Sequence, residues 1–212
     1  MLTLLISAAG VVELFTSQGC SSCPPADRLI SELAKTHGQV IPLAFHVDYW
    51  DNAFWRDPFS SHQWTERQQM YVQSFKLNGA YTPQVVVNGS RQLVGSNATA
   101  MNAAIEEAKS SGSISFEATR NGAMIDATIR TDVPSSSDLF LVVFENGLTT
   151  SIAGGENSGR KATDDAIVRK LWRVKPGKVS VPISPSWKNI GVAVFLQDRA
   201  TRTITAAAVR YV

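Results

Sequence analysis

Cysteine is scarce in this sequence, where Cys20 and Cys23 are the only two among 212 residues. One closely spaced pair cannot build the dense disulfide framework of a small extracellular scaffold. An excess of one charge is also lacking, because 20 Lys and Arg stand against 18 Asp and Glu. This balance, without any basic run, argues against a nucleic-acid or anionic membrane partner. No apolar window approaches the roughly 18 residues of a membrane span, so none is predicted.

The composition is that of an ordinary globular chain, with 44% hydrophobic and 18% charged residues. Disorder is therefore not predicted. Residues 1–10 form a short apolar run that ends in small residues, a pattern typical of the end of a signal peptide. They lack the basic start of a complete signal. The segment is thus either a signal-peptide remnant or a first strand.

Both cysteines lie where an apolar run meets a helical pattern. Residues 11–16 have the β-branched and aromatic content of a buried strand, whereas apolar residues recur with helical spacing over 29–34. Two thiols separated by two residues can close a disulfide, and the positive end of a helix stabilises a thiolate there. Because Cys23 precedes a proline, we expect the helix to begin at Pro24 or Pro25, with the cysteines on the preceding loop.

Three other uses of the cysteine pair stay open. A structural disulfide across four residues would contribute roughly 2 kcal/mol, at the low end for such bonds. Structural zinc needs four ligands, but only His37, His46 and His62 accompany the cysteines, without the H-x₃₋₅-H spacing of a finger. Two inert buried thiols are the third alternative. Redox chemistry is the interpretation that the spacing favours.

A second apolar run, over residues 40–49, predicts a central strand covered on both faces. His46 and Asp48 are two residues apart near its end and therefore share one face, where a ligand crevice forms in open α/β sheets. His46 is either a proton shuttle or metal ligand near Cys20, oriented by Asp48, or the two side chains simply satisfy each other. The sequence does not decide between these interpretations.

Aromatic residues cluster after this strand, at Trp50, Phe54, Trp55 and Phe59. The cluster can line a groove for an unfolded peptide, with Trp50 as a substrate contact, or it can form a local core under a long loop. A helical pattern follows and ends near Gly79.

A hairpin and a last helix complete the first half of the sequence. Residues 85–87 and 92–94 flank Asn88 and Gly89, which is a strong signal for a type I′ turn. A helix is predicted to start at Ser96 and to end before residues 110–112.

The hydrophobic period changes to two from Ser113 onward. Six or more short strands without long helices predict a β-sandwich. Residues 163–172 are the exception and are expected to form a short helix or a polar loop. The glycine-rich segment Gly154–Lys161 lacks the phosphate-binding pattern G-x-x-x-x-G-K-[ST], so a long inter-strand loop is expected there.

Residues 12–27 (VELFTSQGCSSCPPAD) resemble the signature of a bacterial family of secreted, thioredoxin-like proteins of unknown function. Residues 46–51, 65–68, 81–89 and 155–160 also match that family's pattern. The resemblance spans nearly the whole chain, but the family has no settled activity.

Several expectations follow from the resemblance. It implies that the peptide between Thr82 and Pro83 is cis and packs against the cysteine pair, with the Thr82 backbone offered to a substrate. It also implies export, and it suggests that the segment Gly154–Lys161 contacts the first half of the chain.

The predicted fold class is therefore α+β. A thioredoxin-like α/β domain over residues 1–111, which includes the signal-peptide remnant at 1–10, is followed by a C-terminal β-sandwich over residues 112–212. The expected localisation is periplasmic or secreted.

The predicted function is a thiol–disulfide oxidoreductase of the cell envelope. Cys20, expected to be the more exposed thiol, attacks a substrate disulfide, and Cys23 resolves the mixed disulfide. Thr82, Pro83 and Trp50 bind the substrate. Protein thiols or disulfides are the expected partners, and no cofactor or metal is expected.

Two alternatives belong to other functional classes. A CxxC followed by proline, with a histidine at a nearby strand end, resembles thioredoxin-like copper chaperones. In that case Cys20, Cys23 and His46 bind Cu(I). The other alternative is a non-catalytic module that binds peptides in the aromatic groove.

Overall fold

The fold is built mainly from β-strands. The computed structural model describes residues 10–36, 40–108 and 112–212. The helices in this part of the chain are α1 (Pro24–Ala34), α2 (His62–Ser74) and α3 (Ala98–Glu107). Its strands are β1 (Val11–Thr16), β2 (Ile41–His46), β3 (Gln84–Val87), β4 (Arg91–Val94), β5 (Ser115–Asn121), β6 (Met124–Arg130), β7 (Ser137–Glu145), β8 (Leu148–Ser151), β9 (Lys161–Asp164), β10 (Ile167–Val174), β11 (Gly177–Pro182), β12 (Ile190–Asp198) and β13 (Ile204–Tyr211).

Eight strands form one mixed sheet in the order β13-β12-β7-β10-β2-β1-β3-β4. Strand β1 pairs in parallel with β2, with Thr16 opposite His46, and antiparallel with β3. The two halves of the chain meet at β10, which is parallel to β2 at Ile167 and Ala44 and antiparallel to β7. Strands β11-β6-β5 and β8-β9 form smaller sheets.

Strands β7 and β12 contribute to two hydrophobic cores because alternate side chains of a strand point to opposite faces. Leu139 and Leu141 pack with Phe116 of the three-stranded sheet. Val142 and Phe144 instead join the core that contains β1, β2 and the buried faces of the helices. The C-terminal strands are therefore covered on both sides.

The predicted fold class is wrong. A thioredoxin-like α/β domain followed by a β-sandwich would place the C-terminal strands in sheets of their own. Instead, β7, β10, β12 and β13 continue the sheet that contains β1–β4, and strands far outnumber helices. A hydrophobic period of two identifies a strand but not its hydrogen-bonding partner. The proposed boundary between residues 111 and 112 is a separate point, which stays a prediction.

Several local predictions are confirmed. Helix α1 begins at Pro24, and β3 and β4 form the predicted hairpin. Both Asn88 and Gly89 have positive φ, as a type I′ turn requires. A Cβ on Gly89 would lie 1.8 Å from the carbonyl oxygen of Arg202, so the close approach of the chain also requires glycine there.

Two local predictions are wrong. Cys23 caps α1 with right-handed helical angles, although the following proline disfavours them. Residues 163–164 belong to β9 and residues 167–172 to β10, rather than to a helix or a polar loop. Strand β9 pairs with β8, and β10 pairs with β7 and β2.

A buried polar group that was not predicted links the two halves through Gln197. Arg67 on α2 donates from Nε to Glu13 Oε1 of β1 at 2.6 Å, and both side chains are almost fully buried. Tyr71 donates to the other Glu13 oxygen. Gln197 of β12 bonds both Arg67 and the Tyr71 hydroxyl, at 3.3 and 2.8 Å. The guanidinium also lies 5.5 Å from the ring centre of Phe195. The group is therefore closed, with every charge paired.

None of the helices in the described residues is both long and apolar enough to span a bilayer. The predicted signal-peptide remnant lies outside the described residues except for Gly10. His37, which was considered as a zinc ligand, and residues 109–111 at the proposed boundary also lie outside them.

Candidate functional site

The two cysteines form a disulfide where β1 turns into α1. The turn is closed by backbone hydrogen bonds from Cys20 N–H to Ser17 and from Cys23 N–H to Cys20. Cys23 is the N-cap of α1, so the pair lies at the positive end of that helix. Both cysteines are fully buried. The prediction that Cys20 is the more exposed of the two is wrong for this disulfide form.

Three polar groups connect the cysteine pair to the predicted substrate-binding residues. Cys20 Sγ and Ser22 Oγ lie 3.3 Å apart, and Ser22 Oγ also donates to the Thr82 carbonyl oxygen at 3.4 Å. The indole N–H of Trp50 donates to the Thr82 hydroxyl at 2.8 Å. The peptide between Thr82 and Pro83 is cis, as expected. The structure thus brings Trp50 and Thr82 together beside the disulfide.

A loop of the second half, residues 154–160, covers the disulfide. Asn157 is buried and donates from Nδ2 to the carbonyl oxygens of Gln18 and Cys20, at 3.0 and 2.8 Å. Glu156 accepts a hydrogen bond from Ser21 N–H at 3.0 Å. A Cβ on Gly154 would lie 2.3 Å from the carbonyl oxygen of Phe54, so the loop also packs against the aromatic segment. The suspected contact between this loop and the first half is confirmed.

His46 is held by a partner that the sequence did not indicate. Its Nδ1 lies 2.7 Å from Asp57 Oδ2, and both residues are buried. Burial opposes a charge on His46, but the Asp57 carboxylate outweighs this and raises the pKa of His46 to about 9. Burial works to raise the pKa of Asp57, but His46 and backbone donors, including Gln18 N–H at 2.8 Å, hold it below its usual range. The pair is therefore charged at neutral pH.

Asp48 does not orient His46. Its carboxylate accepts from the Thr65 hydroxyl at 2.5 Å and lies 3.1 Å from the exposed His62 ring. Burial works to raise the pKa of Asp48, but the contacts with Thr65 and His62 outweigh it and lower that pKa. The register explains the difference, because β2 ends at His46 and Asp48 falls in the following turn.

Two further carboxylates lie near the disulfide. Asp27 follows Cys23 by one helical turn and accepts from the Thr16 hydroxyl at 2.7 Å. Burial, and then the negative charge of Asp164, raise the pKa of Asp27 to about 7. Burial also raises the pKa of Asp164, which accepts from Gln18 Nε2 at 2.9 Å. Asp27 therefore titrates in the range where a group can take up and release a proton at neutral pH.

Sequence reasoning missed most of this cluster. Asp57 and Asp164 are distant from the cysteines in sequence, and no local pattern connects them to the site. Asp27 carried a signal, since its spacing of four from Cys23 places the two residues on one side of the helix. An acidic residue in the first turn of a helix is also explained by the helix dipole alone, so this signal does not by itself indicate a site.

The aromatic segment is packed at one end and exposed at the other, and its predicted use as a peptide groove stays a prediction. The Phe59 ring packs edge-on against His46, with ring centres 5.4 Å apart. Phe54, by contrast, is 86% exposed. The segment is thus a local core at one end and a free aromatic surface at the other.

Among the described residues, no three side chains of His, Cys, Asp and Glu are grouped so that they could hold a metal ion. With both sulfurs in the disulfide, neither can bind copper as a thiolate. The copper hypothesis, with Cys20, Cys23 and His46 as ligands, therefore concerns the reduced protein and stays a prediction.

Comparison with known proteins gives a family and one close fold. The family described as "Protein of unknown function (DUF1223)" matches residues 11–197. A crystal structure of an Agrobacterium tumefaciens protein from a structural genomics consortium has a TM-score of 0.74 at 28% identity, and the match covers 97% of this chain and 94% of that one. The chicken interferon gamma receptor α chain matches with a TM-score of 0.28 at 11% identity, over 64% of this chain and 62% of that one, and supports no inference. No curated protein matches the sequence.

Proposed function

The chain belongs to the DUF1223 family of unknown function, and we propose that it is a thiol–disulfide oxidoreductase with Cys20 and Cys23 as its redox pair. The observation that carries the proposal is the disulfide at the N-terminus of α1, beside Thr82 and a carboxylate that titrates near neutral pH. A purely structural disulfide across so short a loop would contribute little stability and would not need these neighbours.

Cys20 is the nucleophile in this proposal. In the reduced protein its thiolate is stabilised by the positive end of α1 and by the Ser22 hydroxyl, which lies 3.3 Å from Sγ in the disulfide form. The thiolate attacks one sulfur of a substrate disulfide, which forms a mixed disulfide and releases the other substrate sulfur as a thiolate.

Cys23 completes the exchange with Asp27 as its proton acceptor. The Cys23 thiol gives its proton to the Asp27 carboxylate one helical turn away, and the resulting thiolate attacks Cys20 Sγ. The Cys20–Cys23 disulfide forms, and the second substrate sulfur leaves as a thiolate. The substrate disulfide is thereby reduced by two electrons, and the protein dithiol is oxidised by two.

Substrate access requires a movement of residues 154–160, because both cysteines are fully buried under this loop. Trp50 and Thr82 then form the adjacent substrate surface, and the exposed Phe54 ring extends it. The same proposal assigns the protein to the periplasm or the cell exterior, where a disulfide persists.

Trapping experiments test the proposal. The Cys23→Ser variant should accumulate a mixed disulfide with a peptide disulfide substrate, because its Cys20 attacks but nothing resolves the product. The Cys20→Ser variant should form far less adduct under the same conditions. Intact mass spectrometry measures both.

A wild-type protein that exchanges no disulfide with dithiothreitol or with peptide disulfides would contradict the oxidoreductase function. An adduct that accumulates only in the Cys20→Ser variant would instead reverse the roles of the two cysteines.

A further inference from the structure

A cavity of about 350 Å³ lies next to the disulfide loop, in the range of sites that take small molecules. Its lining includes Gln18 and Pro24, which lie just before and just after the two cysteines in the chain. It also includes Asp27 of α1 and Asp164 of β9. The cavity is thus formed by both halves of the chain, and residues that flank the two cysteines in the chain form part of its wall.

The inner part of the lining, which consists of half-buried Asp27 and the buried residues Gln18, Asn157 and Asp164, is rich in hydrogen-bond acceptors. Asp27 and Asp164 present carboxylates, and their mutual repulsion contributes to the raised pKa of Asp27. Gln18 and Asn157, which are 5% and 1% exposed, each retain an amide oxygen without a hydrogen-bond partner in the described part of the chain. An unpaired buried acceptor destabilises the protein until a donor reaches it. A ligand that brings several N–H donors in one group, as an ammonium does, matches this lining.

The exposed part of the lining has the opposite charge. Arg28, Arg160 and Lys161 all line the cavity and are exposed. None of the three forms an ion pair with an acidic side chain in the described ranges. Guanidinium and ammonium groups of this kind bind carboxylates. The cavity therefore has an acidic interior and a basic mouth.

From this arrangement we infer that the cavity binds the zwitterionic end of a small thiol or disulfide, namely a thiol amino acid or a short thiol peptide. The ligand ammonium meets the acidic interior, and its carboxylate meets the basic mouth. The position beside Gln18 and Pro24 brings the ligand sulfur toward the redox pair. The exchange step rests on the proposed function, whereas the binding step does not.

The exchange is balanced without any further reactant. Two ligand thiols are oxidised to one ligand disulfide, and the Cys20–Cys23 disulfide is reduced to two thiols. The reverse reaction reduces a ligand disulfide with the protein dithiol, and each direction passes through one mixed disulfide with Cys20.

Binding is tested with S-methylglutathione, which cannot exchange disulfides. Isothermal titration calorimetry on the full chain should detect binding, and N-acetylation of the ligand ammonium should weaken it at least tenfold. The double variant Arg160→Ala/Lys161→Ala should weaken it at least threefold. Lys175→Ala, which removes an exposed lysine that does not line the cavity, is the matched control and should leave binding unchanged.

The outcomes separate this inference from the proposed function. If S-methylglutathione does not bind, or if the N-acetylated ligand and the double variant bind as well as the originals, the inference is overturned. Exchange with dithiothreitol is measured on wild type and on the Lys175→Ala control, and it should be equal in the two. Binding without any exchange in wild type would overturn the proposed function but support the cavity.

Discussion

Two buried ionic groups lie on the same sheet, and they differ in how completely their charges are paired. Around Arg67, one cation faces the Glu13 carboxylate, and Tyr71 and Gln197 bond the remaining polar atoms. Around His46, one imidazolium faces several carboxylates. Removing charges from water is costly unless they are fully paired, so the first group is organised for stability.

The group around His46, beside the disulfide, is less completely paired and therefore destabilises the folded protein. His46 and Asp57 pair with each other, and no cationic side chain of the described residues forms an ion pair with Asp27 or Asp164. Burial, and then the negative charge of Asp164, raise the pKa of Asp27 to about 7. Perturbed pKa values of this kind cluster at functional sites. The fully paired group around Arg67 therefore stabilises the fold, whereas the incompletely paired group around His46 lies at the candidate functional site.

Breaking the closed group should have the largest effect on stability. The Arg67→Ala variant leaves the Glu13 carboxylate buried and unpaired, which should cost about 3–5 kcal/mol of unfolding free energy. Arg173→Ala, which breaks an exposed pair with Asp138, should cost about 1 kcal/mol or less. Urea unfolding measures both. A similar small loss in the two variants would mean that the buried pair does not stabilise the protein.

Removing the Asp27 carboxylate from the group around His46 should instead increase the free energy of unfolding. Asp27 holds its proton in the folded protein up to about pH 7 but releases it near pH 4 when unfolded, so its contribution to stability falls as pH rises between these values. The Asp27→Asn variant keeps the polar contact with Thr16 and has no such loss. It should be more stable than wild type at pH 8, by about 2–4 kcal/mol, and equally stable below pH 4.

The Asp27→Asn variant should also slow the resolving step of the proposed disulfide exchange. Without the Asp27 carboxylate, the Cys23 thiol lacks its proton acceptor, and the resolving step should slow on the order of 10²-fold at pH 7. Stopped-flow measurement of mixed-disulfide decay tests this. An unchanged rate would show that Asp27 is only a destabilising buried acid.

His46 should make the free energy of unfolding fall as pH rises from about 6.5 to 9. The folded protein keeps the imidazole protonated up to about pH 9, whereas the unfolded chain loses that proton near pH 6.5, so the stabilisation is complete below 6.5 and disappears by 9. The fall should be on the order of 1–3 kcal/mol. Urea unfolding of wild type and of His46→Gln at pH 6 and pH 9 measures it.

His62→Gln is the control for this titration, because His62 is an exposed histidine beside Asp48. That variant should keep the wild-type pH dependence, whereas His46→Gln should lose most of it. If the two variants behave alike, the buried pair of His46 and Asp57 is not the source.

Opening the loop over the disulfide should have the smallest effect. The Asn157→Ala variant loses two hydrogen bonds to the backbone of Gln18 and Cys20, each contributing about 0.5–1.5 kcal/mol. Reduction by dithiothreitol should accelerate roughly 3- to 10-fold. Ser158→Ala removes a hydrogen bond within the loop and is the matched control. Equal rates in wild type and Asn157→Ala would mean that the loop does not limit access.

The local features of the site were predictable from sequence because short-range geometry determines them. The spacing of Cys20 and Cys23, the start of α1 at Pro24 and the turn at Asn88 and Gly89 depend on backbone angles and near neighbours. The cis peptide before Pro83 was expected only through the resemblance to a family, since few X–Pro bonds are cis.

Only the tertiary structure decided which distant residues meet. The sequence did not identify β10 as a strand, because residues 163–172 were expected to form a short helix or a polar loop. Its pairing with β2 depends on how both sheet faces are covered. That pairing joins the two halves into one sheet, and it places Asp164 and Asn157 beside the disulfide. The placement of the two cysteines was therefore determined by local sequence. The charges around the two cysteines, and the loop 154–160 that covers them, were instead determined by the long-range pairing of strands. Electrostatic effects depend on distances that no sequence pattern specifies.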